Sequence, residues 1–156
     1  MTVPLTSSLY RTTAHAAGGR TGSVRTDDGR LDVRLAPPRK KVPGTTNPEQ
    51  LFAAGFAACF TSALAEVAAE FGADASSAHV ACEVQLGTTD TPAGYGLAVT
   101  LTVGLPGWRA PDLQPLLHRA DAVCPYSQAV RGNVPLTLLA VDGTAEAAEA
   151  AADDRA

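Results

Sequence analysis

The pattern of apolar and polar positions along this chain of 156 residues predicts strands first, then one long helix, then further strands and a second helix. Residues 9–17 carry β-branched and aromatic side chains and predict a first strand. Residues 23–26 and 31–35 predict two more strands, joined at residues 27–29 by Asp-Asp-Gly, a typical hairpin turn. We therefore expect an antiparallel meander near the N-terminus.

A long helix is predicted next. Asn47 provides its N-cap, Pro48 suits the first helical position, and Gln50 follows the cap by three residues. The first half of the helix is apolar on every side, which predicts that it is buried all round, and the second half regains a polar face. Gly72 should end the helix.

The second half of the chain predicts a hairpin, a helix and a last strand. Residues 78–88 alternate apolar and polar side chains, and a turn rich in Pro and Gly leads from them into residues 97–105. A helix should span residues 111–124, and residues 134–141 should form the last strand. Because strands and helices do not alternate regularly, the pattern favours an α+β fold over a doubly wound sheet.

Length and charge narrow the class of protein. A chain of 15.9 kDa fits one domain, expected at residues 1–141, with an acidic, alanine-rich tail at residues 142–156 that is frayed or disordered. A net charge of −4 argues against nucleic acid and anionic membranes as partners. No signal peptide is evident, and the apolar stretch at residues 51–64 is shorter than the roughly 20 residues that a bilayer needs. We expect a cytoplasmic protein.

Cys59 lies in the apolar helix, and its helical spacing places Phe52, Gly55 and Phe56 on the same face. Gly55 would leave room for a ligand to approach the sulfur. Burial alone raises the pKa of a thiol and makes it slow to react. A reactive Cys59 therefore needs a cation that stays charged in a dry site, as arginine does. From these residues alone, a small core side chain is the favoured explanation of Cys59.

Two further cysteines complete the set. Cys124 lies at the end of the second predicted helix, before Pro125, and could form a reactive pair with Cys59, although spacing does not establish that they meet. Cys82 lies on the inward face of a strand, where packing is the simpler explanation. The histidines are scattered without metal-ligand spacing, so no metal and no cofactor are expected.

Several segments carry a family resemblance that covers residues 9–141. They are Gly-Gly-Arg at 18–20, Thr-Asn-Pro-Glu-Gln-Leu-Phe-Ala-Ala-Gly at 46–55, Ala-Ala-Cys-Phe at 57–60, Val-Cys-Pro-Tyr-Ser at 123–127, and Arg-Gly-Asn-Val at 131–134. With both cysteines in these contexts, the chain resembles the organic hydroperoxide resistance (Ohr) branch of the OsmC/Ohr family of thiol-dependent peroxidases. The resemblance implies an OsmC-like fold, with antiparallel sheets around a long buried central helix, in an intertwined homodimer.

The resemblance also implies roles for individual residues. Cys59 matches the peroxidatic cysteine and Cys124 the resolving one. Arg20 matches the arginine that holds the thiolate, and Glu49 matches the carboxylate that orients this arginine. The apolar wall made by residues 52 and 56, both Phe, would bind the alkyl part of a substrate.

The activity implied by the resemblance is the reduction of organic hydroperoxides, alkyl or fatty-acid, to alcohols. It would proceed through a sulfenic acid and a disulfide between Cys59 and Cys124. A dithiol such as dihydrolipoamide on a lipoylated protein would reopen the disulfide. The alternative is a redox-sensing or lipid-binding module that has the same fold and no turnover.

A geometric argument bears on the oligomeric state. Glu49 and Cys59 are ten residues apart (59 − 49), or about 15 Å along one helix at about 1.5 Å per residue. One Arg20 side chain could then not contact both Glu49 and Cys59 within a compact site of a single subunit. We therefore expect a composite site in which an arginine or a glutamate crosses from a partner subunit. A loop conformation around Pro48 would remove this argument.

Overall fold

The computed structural model describes residues 3–143 of the chain and is of the α+β class. Its described residues form two compact units, residues 3–48 and residues 49–143, which are described separately. Two compact units can belong to one domain, so the single domain expected at residues 1–141 stays a prediction. The predicted tail lies outside the described residues from position 144 onward.

The first unit contains a four-stranded sheet in the order β1-β2-β3-β4. Its strands are β1 (Ala14–Ala17), β2 (Ser23–Thr26), β3 (Asp32–Leu35) and β4 (Thr45–Thr46). The predicted antiparallel meander is confirmed for β1, β2 and β3. Two details were not predicted: β1 begins at Ala14 instead of residue 9, and the short β4 runs parallel to β3.

The second unit contains a three-stranded sheet in the order β5-β6-β7 together with three helices. The elements are α1 (Pro48–Glu70), β5 (His79–Thr88), β6 (Tyr95–Leu105), α2 (Ala110–Val123), α3 (Pro125–Val130) and β7 (Leu136–Asp142). The hairpin of β5 and β6 is antiparallel, as predicted. β7 is parallel to β6, because the connection between them crosses over through α2 and α3. The expectation of purely antiparallel sheets was therefore wrong for both sheets.

The predicted ends of α1 are confirmed. The helix begins at Pro48, directly after Asn47, so Pro48 lies at a position where a missing N–H costs nothing. At the other end the N–H of Gly72 donates to Ala69 O, and the N–H of Ala73 donates to Ala68 O, both at 3.0 Å. Gly72 has a φ of 69°, which allows the chain to reverse there.

The burial of α1 differs from the prediction. Its fully buried residues are Phe56, Phe60, Ala63, Leu64, Val67 and Ala68, and they form one face of the helix. Ala54 and Ala58, in the half expected to be buried all round, are exposed in this chain. The sequence could not distinguish the two faces, because alanine and glycine make the uncovered face as apolar as the covered one. One apolar face of α1 is thus left uncovered.

The length argument against a membrane span does not hold for the whole helix. α1 has 23 residues, and its most apolar window has a mean hydropathy of 1.7, so length and composition alone would allow it to cross a membrane. The core helix of a soluble protein passes the same test. The buried face of α1 belongs to the core of the second unit, together with residues of β6 and α2 such as Leu101 and Leu117.

This core predicts where the stability of the second unit resides. Phe60 has no exposed surface, whereas 59% of Phe71 is exposed just beyond the end of α1. Phe60→Ala should lower the free energy of unfolding by about 3–5 kcal/mol, because it removes a buried ring and leaves a cavity. Phe71→Ala, the matched control, should lower it by about 1 kcal/mol or less. Urea denaturation of both variants tests this, and equal losses would contradict the assignment of the core.

Candidate active site

Two thiols from different elements meet in the second unit. Cys59 lies on α1 and Cys124 lies between α2 and α3, and their Sγ atoms are 3.7 Å apart. Cys124 has no exposed surface, whereas Cys59 is partly exposed. A disulfide needs a sulfur separation of about 2.05 Å, so a small side-chain movement would allow these thiols to bond. The structure thus shows that the two thiols meet, which their spacing in the sequence did not establish.

Local sequence explains the position of Cys124. The residue before a proline is disfavoured in the α conformation, so α2 ends at Val123 and Cys124 is extended, with φ −65° and ψ 119°. Pro125 then occupies the first position of a new helix, α3. Sequence analysis assigned no helix or strand between residues 124 and 134 and therefore missed α3. The available signal was Pro125, a residue that suits the first position of a helix.

The surroundings of Cys59 act on its ionisation in opposite directions. Burial raises the pKa of the thiol above its ordinary value, and the backbone N–H of Tyr126 opposes this rise by donating to the sulfur. The neighbouring Cys124 adds to the rise, and the net effect is upward. These contacts together favour the protonated thiol, and a positive charge nearby would favour the thiolate.

An aromatic cluster lies beside Cys59. The ring of Tyr126 is stacked with that of Phe52 at 6.4 Å between centroids, and both rings contact Phe56 at 5.8 Å. A methyl group at Gly55 would lie 3.2 Å from Tyr126 Oη. The space above Gly55, expected to admit a ligand, is therefore filled by Tyr126.

The cluster divides into a surface part and a buried part. Phe56 has no exposed surface and contacts the other two rings, and its predicted role in substrate binding stays a prediction. Phe52 is partly exposed, and 40% of Tyr126 is exposed. Sequence analysis missed Tyr126, although an aromatic side chain two residues after Cys124 was a usable signal. Substrate binding by Phe52 stays a prediction.

Arg20 lies in the first unit, on a tight loop built from glycine. It is the central residue of the 3-10 turn Gly19–Thr21, and Gly18, with a φ of 73°, precedes that turn. A Cβ at Gly22 would lie 1.7 Å from the carbonyl oxygen of Ala17, so no other residue fits there without a backbone shift. This loop holds the backbone of Arg20 in a defined conformation. Its predicted role at the thiolate stays a prediction.

Glu49 lies in the first turn of α1, where the N-terminal end of the helix dipole stabilises a carboxylate. The conformation around Pro48 is helical, so Glu49 and Cys59 belong to one continuous helix. A loop around Pro48 would have allowed Glu49 to lie closer to Cys59, and this segment contains no such loop. Its predicted partnership with Arg20 stays a prediction.

Cys82 lies apart from this chemistry. It is on β5, opposite Leu101 of β6, and packs against the core of the second unit. Burial, with a smaller contribution from Glu83, raises the pKa of its thiol to about 11. Within residues 3–143, no group of three or more His, Cys, Asp or Glu could hold a metal ion.

The fold and the paired thiols define a class, and comparison with known proteins gives the family. The OsmC-like protein family matches residues 41–139, and this chain belongs to that family. It is 42% identical over 134 residues to the organic hydroperoxide resistance protein of Xanthomonas axonopodis pv. citri, covering 83% of this chain and 93% of the relative. It is 42% identical over 138 residues to OhrA of Bacillus subtilis, covering 86% and 97%.

Solved structures agree with this assignment. An organic hydroperoxide resistance protein of Legionella pneumophila has a TM-score of 0.79 and 42% identity, covering 86% of this chain and 99% of its own. OhrB of Bacillus subtilis has a TM-score of 0.79 and 38% identity, covering 85% and 99%. An OsmC-like protein of Mycoplasma pneumoniae, 14% identical with a TM-score of 0.67, shares the fold. The resemblance to the Ohr branch is therefore confirmed.

The pKa of Cys82 predicts how it reacts. With a pKa near 11, only about one Cys82 thiol in a thousand is ionised at pH 8. Iodoacetamide should therefore modify Cys82 in the folded protein about a hundredfold more slowly than an exposed cysteine, with the rate rising about tenfold per pH unit below the pKa. Peptide mass spectrometry checks this, with the unfolded protein as control. Modification at the rate of an exposed cysteine would contradict the burial of Cys82.

Proposed function

We propose that this chain is a thiol-dependent peroxidase that reduces organic hydroperoxides and so defends its cell against oxidative stress. The observation that carries the proposal is the 3.7 Å separation of Cys59 Sγ and Cys124 Sγ beside an aromatic surface. Relatives named organic hydroperoxide resistance proteins support it. The site of action proposed is the cytoplasm.

The first step takes place at Cys59. Its thiolate attacks one oxygen of the hydroperoxide, the O–O bond breaks, and the alkoxide leaves and takes a proton to become the alcohol. Cys59 retains the other oxygen as a sulfenic acid. Because burial opposes ionisation of Cys59, a positive charge is needed, and we assign it to Arg20, oriented by Glu49.

The second step joins the two sulfurs. The Cys124 thiolate attacks the sulfenic sulfur of Cys59, the S–O bond breaks, and hydroxide leaves and is protonated to water. The difference in exposure supports this order, because hydroperoxide can reach the partly exposed Cys59 and not the fully buried Cys124. A dithiol, which we propose to be dihydrolipoamide on a lipoylated protein, then reduces the disulfide by exchange.

The surface beside Cys59 supports a preference for organic substrates. Phe52 and Tyr126 present apolar ring surface that an alkyl chain can bury, at roughly 25 cal/mol per Å². Hydrogen peroxide has no apolar surface to bury there. We therefore propose alkyl and fatty-acid hydroperoxides as the substrate class.

We further propose that the protein acts as an intertwined homodimer with composite sites. Glu49 and Cys59 are ten residues apart within α1 (59 − 49), so about 15 Å of helix separates them. The uncovered face of α1, with Ala54 and Ala58 exposed, would suit burial against a second copy. An arginine or glutamate from the partner subunit would then complete each site.

Turnover tests the proposed activity. The wild type should reduce an alkyl hydroperoxide with dihydrolipoamide as donor, and faster than it reduces hydrogen peroxide. Cys59→Ser should abolish turnover, because no other thiol replaces the nucleophile. Cys124→Ser should allow one equivalent of hydroperoxide to be reduced and then stop. Cys82→Ser, the matched control, should retain full turnover because Cys82 lies on β5, an element that carries neither thiol of the pair.

The same assay contains the outcome that contradicts the proposal. Full activity in Cys59→Ser would exclude the mechanism. No turnover by the wild type, with reversible oxidation of Cys59 and binding of a fatty acid, would instead favour a redox-sensing or lipid-binding module.

Mixed dimers test the composite site. An Arg20→Met chain and a Cys59→Ser chain, each inactive alone, are co-expressed with different tags and purified through both tags. If Arg20 crosses between subunits, the mixed dimer has one intact site and should recover about half of the wild-type activity. The corresponding pair of Glu49→Gln and Cys59→Ser tests the glutamate.

The mixed dimers also have a clear negative result. If both pairs stay inactive while the doubly tagged species is a stable dimer, each site is built from one chain. A monomer in solution by light scattering would exclude the dimer itself.

A further inference from the structure

The junction of α2 and α3 has an unusual set of side-chain hydrogen bonds. The last carbonyl groups of a helix lack partners within the helix. At the end of α2, Ala120 O accepts the N–H of Cys124 at 2.8 Å. The next two carbonyls accept from α3: Gln128 Nε2 donates to Asp121 O at 3.2 Å and to Ala122 O at 2.8 Å. Gln128 therefore ties α3 to the end of α2.

Arg131 makes a second tie at the same place. Its Nη2 donates to Asp121 O at 3.3 Å and to Asp121 Oδ2 at 2.5 Å. The Asp121 side chain is only 15% exposed, so the guanidinium compensates a carboxylate that is largely withdrawn from water. A cation at this position also complements the negative end of the α2 dipole. Arg131 thus combines an ion pair with a cap of the helix.

Cys124 lies between these ties. It is the C-cap residue of α2 and also the residue that precedes α3. Its own carbonyl accepts the N–H of Gln128 at 3.0 Å. Because Gln128 and Arg131 join the two helices on either side of Cys124, they restrict rotation of α3 about the break at Pro125. The position of Cys124 Sγ, 3.7 Å from Cys59 Sγ, depends on that restriction.

We propose that Gln128 and Arg131 are positioning residues that hold Cys124 against Cys59 and thereby set the rate of disulfide closure. The proposal rests on the proposed function for the closing step, in which Cys124 displaces hydroxide from the Cys59 sulfenic acid. Neither residue touches the hydroperoxide or Cys59, so the first step depends on them only indirectly, through Tyr126 of α3, whose N–H donates to the Cys59 sulfur. A loosened Cys124 closes more slowly and leaves the sulfenic acid open to a second hydroperoxide, which oxidises it to sulfinic acid.

The test separates the two steps in Arg131→Met and Gln128→Leu. The first step is followed as consumption of one equivalent of hydroperoxide, and the second as loss of free thiols after an alkylating quench. We expect the second rate to fall by about tenfold or more and the first to fall much less, since displacement of a reacting group by about 1 Å can cost up to about a hundredfold. Sulfinic acid at Cys59 should accumulate in excess hydroperoxide.

Arg119→Met is the matched control. Arg119 lies on α2, forms an ion pair with Glu70 at 3.3 Å and is about as exposed as Arg131, but in the described part of the chain it donates to Glu70 and not to the terminal carbonyls of α2. This variant should close its disulfide at the wild-type rate. Arg131→Lys should give an intermediate rate, because a lysine keeps the charge but its shorter side chain does not place its nitrogen where Nη2 donates to both Asp121 oxygens. Thermal unfolding of every variant identifies any that does not fold.

The outcomes are distinguishable. Wild-type closure in folded Arg131→Met and Gln128→Leu would overturn the proposal, as would equal slowing in Arg119→Met. If Arg131→Met fails to fold, Gln128→Leu, which removes no charge, decides alone. Closure driven by diamide, which oxidises the thiol pair without any hydroperoxide, is measured in parallel. If the wild type consumes no hydroperoxide, the proposed function fails, and the diamide rates still show whether these residues position Cys124.

Discussion

The contact between two sulfurs from distant parts of the chain is the constraint on which the rest of the second unit depends. Cys59 and Cys124 are 65 positions apart (124 − 59), yet their Sγ atoms are separated by 3.7 Å. A straight α2 could not present Cys124 in this way, and the helix is broken at Pro125 to do so. The break leaves the last carbonyl groups of α2 without partners in the helix, and Gln128 and Arg131 donate hydrogen bonds to them. The thiol of Cys124, the break in the helix and these side-chain hydrogen bonds therefore all lie at the junction of α2 and α3.

Burial of the pair creates an electrostatic conflict that explains the need for further residues. In the proposed cycle, shielding from water would protect a sulfenic acid and give apolar substrates surface to bury, but burial also raises the pKa of Cys59. The backbone N–H of Tyr126 offsets part of this rise, which makes the start of α3 part of the site as well as its neighbour. A full positive charge is still needed, and this is the physical reason to assign Arg20 a role at the thiolate.

Short-range sequence patterns predicted much of the fold. They failed for features that depend on contacts between distant parts of the chain. The ends of α1 follow from Pro48 and Gly72, which act through their own backbone, and the structure confirms them. The direction of β7 depends on a crossover, which no pattern within the strand encodes. The two faces of α1 could not be separated because alanine covers one of them. For the site, helical spacing grouped Phe52, Phe56 and Cys59, but the contribution of Tyr126 arises only when α3 packs on α1.

The unequal exposure of the two thiols gives the proposed cycle its direction. A pair of equally accessible cysteines could be oxidised in either order, and a hydroperoxide could convert both to sulfenic acids. Here Cys124 is shielded completely and has Cys59 Sγ within contact distance, so its accessible electrophile is the oxidised Cys59. Because Cys124 is shielded, the position of its thiol matters more than the reactivity of that thiol. A buried Cys124 that is misplaced has no other route to the oxidised Cys59. The bonds that hold the end of α2 to α3 therefore belong to the chemistry of the pair as much as to the stability of the fold.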